Sequence, residues 1–230
     1  MHRLPALIIS AALCLCCSPA DPGDFTSEEK ALIHRSVSGL ETDVPEGTMR
    51  VLTISDPSDL SVLRSKSSDL SIDALLSSDY EALSQLMVAT VTHPSQDGVG
   101  IAGPQVGINR RIVAVQRFDK EGEPFEVYPN IRIVWASDSL AVGPEGCLSV
   151  PDRRGDVLRS TSVVIEYADI QQLTLNRLRQ TPHAIQGKSL SINEVDNTVP
   201  MVRDTINGFT AVIFQHETDH LDGVLYIDRL

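Results

Sequence analysis

The sequence predicts an α+β fold in which short, mostly antiparallel strands pack around one buried helix near residue 210. Two observations predict it. First, residues 207–223 are largely apolar with helical spacing, and they lie between Asn207, a good helix cap, and Gly223, which suits the position just past a helix end. Second, short segments typical of strands precede this helix, at 50–54, 111–118, 125–134 and 156–167.

Residues 1–20 predict a secretory signal peptide cleaved near Ala20. A short basic start precedes an apolar run that ends at Cys17 and is too short to span a bilayer comfortably. We therefore expect an exported protein of the periplasm or cell envelope. A cytoplasmic or organellar location is less favoured, because the segment is apolar rather than rich in arginine. The cysteines of this segment leave open a lipid-modified N-terminus, which is the only membrane contact we expect.

Length, charge and cysteine content limit the kinds of protein that this sequence can encode. With 230 residues and 42% hydrophobic content the chain can bury a sizeable core. The formal charge of −12 argues against nucleic acid and anionic membrane surfaces as partners. We expect a monomer. Only Cys147 of the 4 cysteines lies beyond the signal segment, so we expect no intramolecular disulfide. That thiol is then either a buried structural side chain or a metal ligand.

The chain beyond the signal divides into an N-terminal extension, residues 21–48, and a catalytic domain, residues 49–230. Thr26 and Glu29 form a capping-box pair, which predicts a short helix in the extension. Residues 50–54 are interpreted as a strand, and the Ser- and Asp-rich residues 56–77 as a surface segment.

A second helix is predicted over Asp79 to Thr92, with Ser78 and Glu81 as its capping box and an apolar stripe that packs into the core. Residues 168–206 are polar and predict only turns. This stretch, including the run at 193–196, is either a surface insertion or shapes access for a substrate.

The predicted C-terminal helix carries an H-E-x-x-H pattern formed by His216, Glu217 and His220. Phe209, Ile213 and both histidines recur at steps of four, three and four, so they share a face. Two imidazoles one turn apart on a buried helix are costly unless a ligand binds them, and a metal ion satisfies both. Glu217 lies next to them and can manage the proton of a bound water. The alternative is a chance match with two ordinary core histidines.

Residues 98–105 (GVGIAGPQ) form a glycine-rich run. It lacks the Lys-Ser/Thr ending of a phosphate-binding loop, and Pro104 and Gly107 interrupt any following helix, so a nucleotide site is not favoured. The missing side chains at Gly98 and Gly100 predict instead that another backbone approaches closely.

Three motifs occur in order: GVGIAGPQ at 98–105, EGCLS at 145–149 and the H-E-x-x-H of 216–220. Together they resemble the peptide deformylase family over roughly residues 50–230, and three motifs in register are far more specific than one. Further matching segments lie at 129–130, 149–151, 163–167 and 223–228. Gly103 stands where the family usually has alanine, a change that we expect to loosen the loop.

The resemblance implies a metal site built from Cys147, His216 and His220. It implies one divalent ion, expected to be Fe²⁺, with Zn²⁺, Ni²⁺ and Co²⁺ as alternatives that the spacing cannot separate. The implied substrate is an N-formylmethionyl peptide or protein N-terminus, whose formyl group is released as formate.

The resemblance also implies roles for three more residues. Glu217 passes the proton of a metal-activated water to the leaving amine. The backbone N–H of Leu148 and the side-chain amide of Gln105 hold the developing oxyanion with the metal. These three are the predicted catalytic residues.

The substrate is expected to lie alongside the glycine run as an added strand, with its first side chain in an apolar pocket. Glu145 is expected to be surface-exposed or to orient the metal loop through a charge partner such as Arg159. The predicted substrate-binding residues are Gly98, Val99, Gly100, Glu145, Phe209, Val212 and Ile213.

Two other functions stay open from the sequence. One is a different H-E-x-x-H metallohydrolase, a peptidase or amidase, whose third ligand would be Asp222 or Asp228. The other is a metal-retaining binding protein without turnover, which the presence of Gln105, Cys147 and Glu217 disfavours.

Overall fold

The computed structural model describes residues 21–40, 44–180 and 198–230. The predicted signal segment 1–20 and the polar run 193–196 lie outside the described residues. The helices are α1 Ser27–Val37, α2 Pro57–Leu63, α3 Ile72–Leu75, α4 Ser78–Thr92, α5 Ile170–Gln180 and α6 Gly208–Leu221. The strands are β1 Gly100–Ala102, β2 Ile112–Gln116, β3 Phe125–Pro129, β4 Arg132–Ala136, β5 Leu140–Cys147, β6 Val150–Ser160, β7 Ser162–Ala168 and β8 Met201–Asn207.

The strands form three small antiparallel sheets, ordered β1-β2-β3, β4-β7-β8 and β5-β6. Helix α6 packs between the first two sheets. Its Ala211 and Phe214 share one buried cluster with Val113 of β2 and with Val163 and Ile206 of β7 and β8. The predicted α+β fold, with short antiparallel strands around one buried helix, is confirmed.

The N-terminal segment joins a second core rather than standing apart. The capping box of Thr26 and Glu29 is present at the start of α1. Phe25 and Ile33 are buried in the same cluster as Leu83 and Met87 of α4. The division between extension and catalytic domain at residue 48 stays a prediction, and the core crosses it.

Several element predictions were wrong in detail. Residues 50–54 are extended but are not a strand: the backbone N–H of Leu52 donates to Gln105 O at 2.8 Å, and that of Ile54 to Ser149 O at 2.9 Å. This segment thereby ties together the two motifs that hold Gln105 and Ser149. The Ser- and Asp-rich stretch 56–77 contains α2 and α3, each started by a side-chain cap.

Helix α4 begins one residue earlier than predicted. Ser77 caps it by accepting from the Tyr80 N–H, and the predicted Ser78–Glu81 box is not what starts the helix. Two adjacent serines can both cap a helix, so the sequence pattern alone does not choose between them.

Two predicted strands are each split. Asn130 adopts a left-handed φ of 52° and separates β3 from β4, which belong to different sheets. Its side-chain amide pairs with the backbone of Leu70 in both directions, at 2.7 and 2.9 Å. Thr161 likewise separates β6 from β7. The polar stretch 168–206, predicted as turns, includes α5 and β8 in its described part.

Candidate metal centre

The turn of the β5–β6 hairpin and the middle of α6 meet at a cluster of three ligand-type side chains. Cys147 lies at the end of β5, where the hairpin register shifts, and His216 and His220 lie one turn apart on α6. One potential ligand atom from each lies within 4.8 Å of the others. The Cys147 Sγ is 3.3 Å from His220 Nε2. Helix α6 starts at its predicted N-cap Asn207, although that side chain makes no capping hydrogen bond, and Gly223 just beyond it has the expected left-handed φ of 73°.

The chemistry of this cluster fits a transition-metal ion. Glu145 Oε2 lies 2.8 Å from His216 Nδ1, an arrangement that fixes the tautomer and leaves Nε2 free to ligate. Burial, and then the charge of His216, keep the pKa of His220 well below its ordinary value, so its imidazole stays unprotonated. Its Nδ1 is a buried nitrogen without a hydrogen-bond partner among the described residues. Two imidazoles and one thiolate are a common donor set for zinc and other borderline metals.

The charges around His216 also favour a cation. Burial alone would lower the pKa of His216, but its contacts with Cys147 and Glu145 outweigh that effect and raise the pKa to about 10. A position that stabilises the positive charge of a proton also stabilises a bound metal cation, which competes with the proton for the same nitrogen.

A buried network of ion pairs contacts the ligand-type side chains through Glu145, which lies against His216. The predicted pair is present: Arg159 donates to both oxygens of Glu145, at 2.7 and 2.9 Å. Arg159 also donates to Asp219 Oδ2 at 2.6 Å, and Arg229 donates to both oxygens of Asp219. Burial acts to raise the pKa of Glu145, but the hydrogen bonds from Arg159 and His216 overcome it and lower the pKa to about 2. Glu145 is therefore an ionised, buried group and not a surface one.

Glu217 is the acid–base candidate of the site. Its side chain is 4% exposed, and burial raises its pKa to about 7. The Oε2 atom has no hydrogen-bond partner among the described residues. A carboxyl group poised near neutrality with one oxygen unsatisfied is suited to accept a proton and to return it.

Gln105 is held in one orientation. Its Oε1 accepts from the Ala102 N–H at 2.8 Å, which turns its Nε2 toward Cys147 Sγ, 3.6 Å away, and Ser149 Oγ, 3.3 Å away. The amide thus presents N–H donors beside the cluster. Leu148, the second predicted oxyanion donor, follows Cys147 in the hairpin turn and is half-buried.

A cavity of about 800 Å³ opens over this cluster. Every residue predicted to bind substrate lines it, as do Gln105, Cys147, Leu148, His216 and Glu217. Phe209 is 57% exposed at its edge, whereas Ile213 is buried. Eight further lining residues had no predicted role. The polar ones among them lie outside the three motifs: Gln96, Asp97, Asp152, Arg153 and Arg154.

The approach of another backbone to the glycines of the run stays a prediction, and the structure shows their contacts within the chain. A Cβ on Gly100 would lie 2.5 Å from Glu217 Oε1, and one on Gly98 would lie 2.8 Å from Val91 Cγ2. The space that these glycines leave is filled by the chain's own side chains. Gly103 does not loosen the loop either, because a Cβ there would lie 2.5 Å from Ile108 O.

The two aspartates considered as alternative third metal ligands form ion pairs with arginines instead. Asp222 accepts from Arg111 Nη1 at 2.8 Å, and Asp228 pairs with Arg64. Neither belongs to the ligand cluster. The third ligand-type side chain beside the two histidines is therefore the thiol of Cys147.

A sequence model of the family described as Polypeptide deformylase matches residues 48–185 and 187–230. This chain belongs to the peptide deformylase family. The peptide deformylase of Leptospira biflexa is 32% identical over 189 residues, which cover 79% of this chain and 87% of that protein. Peptide deformylase 2 of Vibrio cholerae is 34% identical over 182 residues, covering 79% and 86%.

Solved deformylase structures have the same fold. The Met-Ala-Ser-bound class I type b peptide deformylase of Acinetobacter baumannii superposes with a TM-score of 0.60 at 30% identity, covering 80% of this chain and 98% of that one. The peptide deformylase of Thermotoga maritima gives 0.58 at 27% identity, covering 80% and 97%. The chain is therefore an enzyme of this deformylase family, with a Cys/His/His site for a single metal ion.

Proposed function

We propose that this deformylase-family enzyme hydrolyses the formyl amide of N-formylmethionyl peptides and releases formate. One observation carries the proposal: Cys147, His216 and His220 converge beneath a cavity that also presents Glu217 and Gln105. Related structures from Acinetobacter baumannii hold Met-Ala-Ser and actinonin. They support a cavity that receives a short peptide-like chain.

A divalent ion held by Cys147, His216 and His220 would supply a Lewis acid and lower the pKa of water in the site. The chain's own groups do the rest. Glu217, whose pKa is about 7, accepts a proton from the attacking water, whose oxygen adds to the formyl carbon. It returns that proton to the peptide nitrogen as the C–N bond breaks and formate leaves.

In this proposal the N–H groups of Gln105 and Leu148 donate to the formyl oxygen as it gains negative charge. Each such donor is worth roughly 10²-fold or more in turnover. Gln105 needs no rearrangement for this, because its amide is already anchored through Ala102.

The test is formate release from formyl-Met-Ala by the metal-loaded enzyme. We expect turnover by the wild-type protein and a loss of about 10³-fold in Glu217→Gln, which keeps the shape and removes the base. Metal content should stay near one ion per chain in that variant and fall in Cys147→Ala. No formate from wild-type protein loaded with Fe²⁺, Zn²⁺, Ni²⁺ or Co²⁺ would contradict the proposal.

We also propose Fe²⁺ as the physiological metal, on the support of the donor set and the family resemblance. Metal analysis of protein purified anaerobically from its own cells tests this. A predominance of zinc, nickel or cobalt would count against iron.

Export is proposed from the sequence of residues 1–20 alone. Among residues 21–40, 44–180 and 198–230, no helix is both long and apolar enough to cross a membrane. N-terminal sequencing of the mature protein should find cleavage near Ala20, and mass spectrometry would detect a lipid on the segment's cysteines.

We also propose that the protein is a monomer. Light scattering of the purified protein, which measures its molar mass in solution, tests this.

A further inference from the structure

Two adjacent arginines, Arg153 and Arg154, stand at the edge of the cavity. They lie on β6, just after the hairpin turn that carries Cys147, and both are exposed. The Arg154 side chain runs along the backbone of Gly146. Its Cγ would be 3.5 Å and its Nε 3.8 Å from a Cβ placed on that glycine. The backbone is fixed there by the pairing of Gly146 with Arg154. A cationic side chain is therefore held beside Gly146, the residue that precedes the ligand-type side chain of Cys147.

The side chains of these two arginines also have no hydrogen-bond or ion-pair partner among the residues that the structure describes. Neither makes a hydrogen bond or an ion pair with any described side chain, whereas Arg64, Arg111 and Arg132 on the same molecule each pair with an aspartate. The chain has 31 acidic and 19 basic residues, so carboxylates are abundant as internal partners. Two free guanidinium groups beside the cavity of such an acidic protein indicate a partner that comes from outside.

Among the described residues, the other charged groups at the cavity make no ion pair with these two arginines. Glu145 is paired with Arg159, and Glu217 is buried. Asp97 and Asp152 line the cavity as well, and both have left-handed φ values, 47° and 59°. Neither forms an ion pair with Arg153 or Arg154 among the described contacts, so the guanidinium groups keep their hydrogen-bond donors available.

We infer that Arg153 and Arg154 bind a carboxylate of the substrate, and that the enzyme prefers short formylated peptides with a negative charge just beyond the formylmethionine. A guanidinium group matches a carboxylate with two parallel hydrogen bonds, which amide or ammonium groups cannot reproduce. The inference rests on the proposed deformylation. It adds that the substrates are peptides with a free C-terminal carboxylate, or an acidic side chain, near the cleaved amide.

The experiment compares kcat/KM for three peptides: formyl-Met-Ala-Ser with a free carboxylate, the same peptide as its C-terminal amide, and formyl-Met-Ala-Asp-amide. Wild-type enzyme should favour the free carboxylate over the amide by about tenfold at low salt, and 0.5 M salt should shrink that ratio. If formyl-Met-Ala-Asp-amide shares the advantage, an acidic side chain serves as well. If it does not, the terminal carboxylate is the ligand. Both results support recognition by the arginines.

The double variant Arg153→Gln/Arg154→Gln should bring the ratio between carboxylate and amide peptides close to one. Arg203→Gln is the matched control, because Arg203 is an exposed arginine on β8 that does not line the cavity. Equal kcat/KM values for all three peptides in the wild type, or a preference that survives in the double variant, would overturn the inference and leave deformylation intact. No formate from any peptide would instead mean that deformylation itself is wrong.

Discussion

At the scale of single residues, Gly100 has the most direct effect on the proposed chemistry. A methyl group there would lie 2.5 Å from Glu217 Oε1 and 2.9 Å from Ile213 Cγ2. We expect Gly100→Ala to displace the Glu217 carboxyl and to lower kcat by about 10²-fold, the usual cost of a misplaced catalytic group. Formate release measures the loss, and metal content should stay unchanged.

Gly143→Ala is the control for this change, since nothing lies within 4 Å of a Cβ at Gly143. It should keep wild-type turnover. A Gly100→Ala enzyme as fast as the wild type would show that Glu217 is free to shift, and hence that its position is not fixed by this glycine.

The residues that could be predicted from sequence were those with a spacing rule behind them. H-E-x-x-H fixes two imidazoles on one helix face, and EGCLS supplies the nearby thiol. Asp219 was missed because its importance comes from Arg159, which is 60 residues away in the chain. The glycines showed where side chains are absent, but the sequence could not show that Glu217 fills the space.

Glu145 should make stability depend on pH. Its folded pKa of about 2 lies below its ordinary value of 4.5, so the folded state binds fewer protons than the unfolded state between these values. The stabilisation is therefore complete above pH 4.5 and is lost as pH falls toward 2. At pH 6 it is worth about 3 kcal/mol.

Urea unfolding of metal-free wild type and Glu145→Gln measures this effect. The difference between their free energies of unfolding should be largest at pH 6 and about half as large at pH 3. A difference that stays constant over this range would mean that the ionised carboxylate is not what the network stabilises.

At the scale of elements, Arg229 joins the segment after α6 to the network behind the metal ligands. It pairs with Asp219, which pairs with Arg159, which holds Glu145 of the hairpin. Arg229 is 44% exposed, so its ion pair with Asp219 stabilises the folded state by only about 0.5 kcal/mol. We expect Arg229→Met to release a bound Co²⁺ or Zn²⁺ to a chelator two- to threefold faster than the wild type.

Arg203→Met provides the comparison, because Arg203 pairs with Glu166 between β7 and β8 and lies outside this network. Its metal release should match the wild type. Equal metal-release rates from both variants would show that Arg229 does not help to hold the metal ligands, and that only Arg159 and Glu145 do so.

Element prediction succeeded where a local rule decides the structure. The capping box of α1 and the apolar run of β2 are local features, and both elements were found. The split of 125–134 depends on Asn130 binding the backbone of Leu70, which is 60 residues distant. Residues 50–54 extend like a strand, yet their two hydrogen bonds go to separate segments, so no ladder forms. Both outcomes are set by tertiary contacts that a sequence window does not contain.

At the scale of the whole molecule, Arg110 ties the N-terminal segment to the body. This buried side chain donates to Glu29 through Nε and Nη2, and to the backbone carbonyls of Pro22 and Asp24. Removing it leaves the Glu29 carboxylate without its cationic partner and the two carbonyls without their donor. We expect Arg110→Met to lower the free energy of unfolding by about 3 kcal/mol and to make α1 sensitive to protease.

Arg132→Met serves as the reference here, since Arg132 is 42% exposed and pairs only at the surface with Asp69 and the Asn130 carbonyl. Its urea midpoint should shift little. An equally small shift in Arg110→Met would show that α1 stays in place through its apolar contacts alone.

The same arrangement has a practical consequence for recombinant production. The family match begins at residue 48, and a natural choice for expression would be a polypeptide that starts there. Such a polypeptide would lose Phe25 and Ile33 and uncover the apolar side of α4 that they seal. Protein that retains Phe25 and Ile33 is the better starting material for crystallisation and inhibitor screening, because the shortened version would expose an apolar surface and precipitate more readily.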